Sequence, residues 1–387
     1  MRAYQVAAVV VSALSAVGLT LFFGLYPLGL LLAGGLRRPT TTPAGTRPRS
    51  MSLVVAARNA EPLVPAKVRN SLALRWSGAL ELVFVSDGSR DRTAEELRTW
   101  GGQRVRVLEL REHQGKAAAL DAGVRRSHGE ILVFSDADAL LAPDALQHLG
   151  ERLSDPGVGG ACGRRVLQEH RGRLDEAQGG YIAVDGLLRR AESRLGSVTS
   201  NDGKLYAIRR ALYRPIDPGA TDDLFTCLSV VEQGWRFVFE PRARAYVRAP
   251  SRSVRHELAR RRRIVARSLH GIARKRRLLD PRRYGWFALQ LLVNKVLRRL
   301  LPLFLLALLA ASLVLAPEQR WARILLAVQA LGYGLALLQP VLRPVPGLGR
   351  LAALAGYFCV GNLGTLLGLI DFALGRQVVR WDPLKHD

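Results

Sequence analysis

Residues 82–91, LVFVSDGSRD, and residues 130–140, EILVFSDADAL, decide the fold. In each, a short run of branched and aromatic residues, Leu82 to Val85 and Ile131 to Phe134, breaks abruptly into acids. Such runs suit strands buried on both faces of a parallel sheet. The acids then stand at the carboxyl edge of that sheet, where open α/β folds take their ligands. Asp87 closes the first run and is followed by Gly88, which permits a tight turn; Asp136 and Asp138 close the second. Two acidic strand ends in one domain point to a site for a nucleotide and a divalent cation.

Outward from these stretches the chain alternates strand and helix patterns. SLVVAAR ends at Arg58 and Asn59, Pro62 to Leu74 suits a helix, and LELVFVS is a second strand. Arg92 to Trp100 reads as a helix, RVRVLEL as a third strand, and Gly115 to Arg126 as the helix before EILVFSD. Repeated βα units predict an α/β domain with a doubly wound, mostly parallel sheet. Pro143 opens another helix, VGGACGRRVL and RFVFEP read as further strands, and the globular part closes near Tyr246.

The flanks are different in kind. Val6 to Leu36 is an uncharged apolar run, longer than a signal-peptide core and long enough to cross a bilayer. Arg37 and Arg38 follow it, which predicts that the next domain lies in the cytoplasm. Residues 37–50 read as a linker, 51–250 as the catalytic domain, 251–299 as basic interfacial helices, 300–375 as three spans, and 376–387 as a tail. The three spans are expected at Leu300 to Ala316, Ile324 to Leu342 and Leu351 to Leu374. Four crossings in all would leave the carboxyl terminus outside, against the positive-inside preference of Arg376, Arg380 and Lys385.

The net charge is +25, with lysine only at 67, 116, 204, 275, 295 and 385. Much of the arginine flanks apolar segments, so membrane orientation accounts for the charge better than nucleic-acid binding does. The segment Arg252 to Arg277 suits a helix at an anionic membrane face. Cys162, Cys227 and Cys359 are too far apart in sequence for a metal motif or a disulfide framework.

Alternate carboxylates at Asp136 and Asp138 leave one face of an extended strand end, which suits a hard cation bridging diphosphate oxygens. Lys116 follows Gly115 at a helix amino terminus, a natural place for phosphate. Thr221, Asp222 and Asp223 form a third acidic cluster, either a helix cap or the source of a general base. The arginines at 260–263 offer planar forks for phosphate oxygens.

The order V-S-D-G-S-x-D-x-T, G-K-A-A-A-L, S-D-A-D, T-D-D and R-x-x-R-I before apolar helices resembles the family 2 inverting glycosyltransferases of GT-A fold. Among them it is similar to membrane-embedded exopolysaccharide synthases related to cellulose, chitin and hyaluronan synthases. The resemblance implies that Asp87 contacts the uridine of a UDP-sugar, with Asn59 and Glu61 nearby and Gly88 in the turn. It further implies that Lys116 and Asp136 hold the nucleotide and its phosphates, and that Asp138 ligates Mg or Mn. Asp223, beside Asp222, would be the general base, and Arg263 would stabilise the departing diphosphate. The implied setting is the bacterial inner membrane, with a glycan or lipid acceptor, membrane lipids and export or assembly partners. Arg260 and Ile264 stand near the positions where processive relatives carry Gln and Trp, which leaves processivity open. Gly203, in SNDGKLY, falls where relatives have an acceptor loop. Single transfer to polyprenyl phosphate and an inactive scaffold are the competing expectations.

Overall fold

A computed structural model describes residues 2–37, 45–102, 104–168, 173–247 and 254–376. Half of the expected linker, residues 38–44, and the tail beyond Arg376, with Arg380 and Lys385, lie outside the described residues. The helices in chain order are α1 (Ala3–Thr20), α2 (Tyr26–Leu36), α3 (Val64–Leu72), α4 (Thr93–Thr99), α5 (Lys116–Arg125), α6 (Ala145–Leu153) and α7 (Arg173–Leu195). They continue as α8 (Asp222–Glu232), α9 (Val254–Arg274), α10 (Pro281–Leu291), α11 (Leu301–Leu315), α12 (Arg320–Leu337), α13 (Gln339–Leu342) and α14 (Leu348–Ala373). The strands are β1 (Ser50–Ala57), β2 (Ala79–Asp87), β3 (Val105–Leu110), β4 (Ile131–Phe134), β5 (Leu140–Leu141), β6 (Val158–Leu167), β7 (Tyr206–Arg209) and β8 (Arg236–Val247).

The strands form one sheet in the order β3-β2-β1-β4-β7-β6-β8-β5. Its first four strands are parallel, as the βα alternation requires. β7 runs antiparallel to β4 and to β6, so the sheet as a whole is mixed. Successive residues serve opposite faces, as strand geometry dictates. Val54, Val83 and Val85 pack with α5 and α8 on one side. Leu53, Val55 and Phe84 pack with α3, α4 and α6 on the other. Leu53, Phe84 and Leu132 are 0–1% exposed, and such side chains each contribute about 1.5–3 kcal/mol of transfer free energy.

Register carries the acids to the site. Phe134 of β4 pairs with Tyr206 of the antiparallel β7, and their rings stack at 4.9 Å. Beyond that pair, Asp136 going forward on one strand therefore meets Lys204 going backward on the other. At the end of β2, Gly88 has φ +54°, and a Cβ there would lie 2.3 Å from the His113 backbone nitrogen. Left-handed backbone costs an ordinary residue roughly 1–2 kcal/mol, and here a rigid amide also blocks the way. Gly88→Ala is expected to lower stability by about 2 kcal/mol or more, read as a fall in the melting temperature of the detergent-purified chain; an unchanged melting temperature would contradict the packing.

Three helical stretches are long and apolar enough to cross a membrane: Ala3–Leu36, Pro281–Leu315 and Leu348–Ala373. The stretches expected at Val6 to Leu36 and Leu351 to Leu374 overlap the first and third, and Leu300 to Ala316 overlaps the end of the second, which begins at Pro281. The span expected at Ile324 to Leu342 is instead α12 followed by a break and the short α13, and is not among the three. The buried Glu192 of α7 ties the apolar helices to the sheet domain. It accepts hydrogen bonds from Tyr26 Oη (3.1 Å), Asn294 Nδ2 (3.0 Å) and the Thr199 N–H (2.9 Å).

α9 lies along α14. A Cβ at Gly364 would lie 2.9 Å from Arg261 Cβ, and one at Gly368 would lie 2.6 Å from the Arg262 carbonyl. Only glycine lets the two backbones approach this closely. Arg262 then grips Asp371 with both arms of its fork, Nε at 2.5 Å and Nη2 at 2.8 Å. The end of α14 thus sits beside the helix that follows the sheet domain. Arg376 lies on that side too, in a small cavity it shares with Arg267 and His270.

Candidate active site

The carboxyl edge of the parallel half collects the acids. Asp87 is 3% exposed and its carboxylate is fully engaged. It pairs with His113 Nδ1 (2.8 Å) and accepts the N–H groups of Gln114 (2.8 Å) and Gly115 (2.9 Å). Asp87 thereby fixes the turn from which α5 starts, and Gly115 allows that turn with φ 96°. Arg58 holds the same strand end by donating to the carbonyls of Asp87 (2.9 Å) and Gly88 (2.8 Å).

Asn59 and Glu61 stitch the loop after β1 to the loop after β2. Asn59 has φ 47°, which Asn tolerates better than most residues. Its Oδ1 accepts the Arg90 N–H at 2.9 Å, and Glu61 Oε2 accepts the Arg92 N–H at 3.1 Å. Both residues therefore line the loops at the Asp87 end, with their side chains committed to loop structure.

The centre of the site is a chain of alternating charge. Lys116 Nζ lies 2.8 Å from Asp222 Oδ2 and 2.6 Å from Asp136 Oδ1. Lys204 Nζ lies 3.0 Å from Asp136 Oδ2 and 2.7 Å from Asp138 Oδ1. Burial would raise the Asp136 pKa, but the two ammonium groups overcome it and hold the carboxyl well below the usual range. Lys116 is likewise raised: burial opposes its charge, and Asp136 and Asp222 outweigh burial.

Asp223, next along α8, behaves in the opposite way. Burial and then the like charge of Asp222 push it up to about 6. Asp223 sits in the first turn of α8, and its Oδ1 accepts the Leu224 N–H at 2.7 Å. Gly203 faces it: a Cβ there would lie 3.5 Å from Asp223 Cβ. Asn201 Nδ2 donates to the Asp223 carbonyl at 3.0 Å, so the loop before β7 closes over the acid.

α9 completes the edge. Arg267 donates to the Ala220 carbonyl (Nη2, 2.5 Å) and to that of Pro218 (3.2 Å), docking the helix on the entry to α8. Arg263, one turn back, is close enough to feel Asp222 and Asp136. Burial, with the like charges of Arg267 and Arg260, lowers its pKa to about 10. The structure thus brings Lys116, Asp136, Asp138, Asp222, Asp223 and Arg263 together, with Asp87, Asn59, Glu61 and Gly88 around the end of β2.

Three participants were not singled out by sequence. Lys67 is 1% exposed and donates to Ser135 Oγ (2.8 Å) and the Ala139 carbonyl (2.5 Å), clasping the acid loop from within. Burial pushes its pKa down to about 7. His113 and Lys204 are the others. The scarcity of lysine was the one signal that could have drawn attention to Lys67 and Lys204.

Among the described residues no group of three or more His, Cys, Asp or Glu is arranged to hold a metal ion. Mg2+ and Mn2+ do not need one at a phosphate site, since Mg2+ takes one or two carboxylates and completes its shell with phosphate oxygens and water. Asp138, whose side chain is 54% exposed, and Asp136 are hard oxygen donors that fit such a role.

The family described as Glycosyl transferase family 2 matches residues 52–216. The poly-beta-1,6-N-acetyl-D-glucosamine synthase of Staphylococcus aureus (strain COL) is 24% identical over 209 residues, 52% of this chain and 50% of that protein. An N-acetylglucosaminyltransferase of Rhizobium sp. (strain N33) is 26% identical over 223 residues, 52% of this chain and 49% of that protein. The chain thus spans about half the length of the curated relatives it matches. A mannosyltransferase of Pyrobaculum calidifontis, solved with GDP-Man and Mn2+, superposes with a TM-score of 0.71 at 24% identity, covering 95% of this chain and 100% of that one. That likeness establishes a GT-A fold. Asp222, Asp223 and Arg263 lie beyond the stretch matched by the family.

Proposed function

We propose, for a chain whose residues 52–216 are a glycosyl transferase family 2 domain, that it moves a sugar from a nucleotide-diphosphate sugar to a glycan or lipid-linked acceptor at a membrane face, with inversion. The observation that carries this reading is the meeting of the Asp222–Lys116–Asp136 chain with an unusually basic carboxylate, Asp223, and a half-buried guanidinium, Arg263. The names of the curated relatives make UDP-N-acetylglucosamine the first donor to test.

In this reading the nucleoside lies at the end of β2, against the loops stitched by Asn59 and Glu61 and ordered by Asp87. The diphosphate lies over the amino terminus of α5, near Lys116 and within reach of Arg263. A divalent cation held by Asp138, with Asp136, would neutralise charge on the leaving diphosphate. Asp223 takes the proton from the acceptor hydroxyl, whose oxygen attacks the anomeric carbon from the face opposite the diphosphate. Arg263 and Lys116 donate to the phosphate oxygens as negative charge grows there. The Arg37–Arg38 pair after the first apolar helix supports a cytoplasmic catalytic face.

Asp223 must be ionised to act, and it is half ionised near pH 6. The rate should therefore fall about tenfold per pH unit below that point and level off above it. A pH–rate profile at saturating donor measures this, and a flat profile between pH 5 and about 7 would remove Asp223 as the base.

Single transfer to a polyprenyl phosphate is the second reading, favoured by Arg260 and Ile264 where a processive synthase has Gln and Trp. Incubation with labelled UDP-N-acetylglucosamine and sizing of the product separates the two. Polymer supports a synthase, a one-sugar lipid supports the second reading, and no labelled product with this or any other nucleotide sugar contradicts both.

A further inference from the structure

We propose that Lys204 is a built-in cation that shares Asp136 and Asp138 in the donor-free enzyme and yields them when a divalent cation arrives with the donor diphosphate. The inference rests on the reading of Asp138 as a cation ligand.

The geometry is specific. Lys204 Nζ lies 2.7 and 2.9 Å from the two oxygens of Asp138 and 3.0 Å from Asp136 Oδ2. It thus stands between the two carboxylates, where a divalent cation serving both would stand. The position is built into the fold and does not depend on a mobile surface arm. The Lys204 carbonyl accepts Ser135 Oγ at 2.9 Å, the antiparallel pairing of β4 with β7 fixes its register, and the side chain is only 19% exposed. Asp136 has a second cation, Lys116, at its other oxygen, so Asp136 stays compensated when Lys204 moves. Asp138 pairs with Lys204, and its side chain is 54% exposed, open to an ion arriving from solvent.

A cation already seated between two carboxylates must be displaced before a metal can use them, which weakens metal binding in the free enzyme. A donor diphosphate changes the balance, because its charge gives the displaced ammonium a new partner. Metal and nucleotide then favour each other's binding, and by linkage each tightens the other by the same factor. The enzyme would take up its cation with the donor and hold little of it beforehand.

The test is titration of the detergent-purified full chain with Mn2+ alone, following free Mn2+ by electron paramagnetic resonance, and repeated with saturating UDP. Lys204→Met should bind Mn2+ without nucleotide about tenfold or more tightly than the unsubstituted chain, and the tightening caused by UDP should shrink by the same factor. Lys204→Arg, which keeps the charge, should resemble the unsubstituted chain; it controls for simple damage to the loop. Equal or weaker Mn2+ binding by Lys204→Met, or tightening in the Arg variant as large as in the Met variant, overturns the proposal. Asp138→Asn separates the two layers of the argument. Mn2+ binding that survives it unchanged removes the cation from this loop, and the reading of Asp138 falls together with the role of Lys204.

Discussion

Asp223→Asn is expected to lower the transfer rate by about 10²–10⁴-fold while leaving donor affinity within about threefold. The amide has the size of the acid and can still accept the Leu224 N–H that Asp223 Oδ1 accepts at 2.7 Å, so the first turn of α8 keeps its shape. What disappears is a carboxylate able to take a proton. The elevated pKa of about 6 makes that carboxylate a stronger base than an exposed aspartate. Donor affinity is spared because Lys116 and Asp136 contact each other and not Asp223. Asp222→Asn gives a contrasting result. Removing the like charge that helps to raise Asp223 should move the acid limb of the pH–rate profile downward. Rates measured on both variants in detergent or nanodiscs, with nucleotide binding measured in parallel, check the assignment; near-full activity in Asp223→Asn would remove it.

Lys116→Met is expected to be the most damaging single change to stability within the site. It leaves Asp136 and Asp222 facing each other across the space where their shared ammonium had been. Breaking a buried ion pair by removing one partner costs about 3–5 kcal/mol. The side chains here keep some contact with water, 29% for Lys116 and 23% for Asp136, so the low end applies, about 3 kcal/mol. A fall of roughly 4 °C in melting temperature follows for a chain of this size. Asp222→Asn placed on top of Lys116→Met should recover part of that loss, because it removes the carboxylate that has lost its paired ammonium, whereas Asp136 keeps Lys204 at 3.0 Å. A double variant no more stable than the single one would mean that the loss arises from packing of the lysine stem and not from charge.

The parallel half of the sheet was readable because each of its strands announces itself locally. Runs such as Leu82 to Val85 and Ile131 to Phe134 carry the hydrophobic signal, and the acids that end them mark the ligand edge. The antiparallel half was not readable in the same way. Tyr206–Arg209 is four residues long, and its partner β4 is distant in sequence, so nothing local states its register. That register is what brings Lys204 to Asp136. Lys67 was hidden for a related reason: on α3 it has the sequence of a surface lysine, and only the fold turns its ammonium inward to Ser135 and Ala139. Asp87 shows the converse. Its place at a strand end was legible, but its sequence could not reveal that three donors from residues 113–115 already claim its carboxylate. The glycines of α14 likewise look like ordinary membrane-helix residues until the arginine-rich α9 is laid across them.

Cleavage of a nucleotide sugar at this site is the central expectation. The decisive measurement is release of nucleoside diphosphate by the purified full chain, with Mg2+ or Mn2+ present, across a panel of UDP- and GDP-sugars that includes UDP-N-acetylglucosamine. The account predicts release with at least one donor, matched by appearance of the sugar on a glycan or lipid acceptor and lost in Asp223→Asn. Absence of release with every donor, from folded protein that still binds the nucleotides, would contradict it.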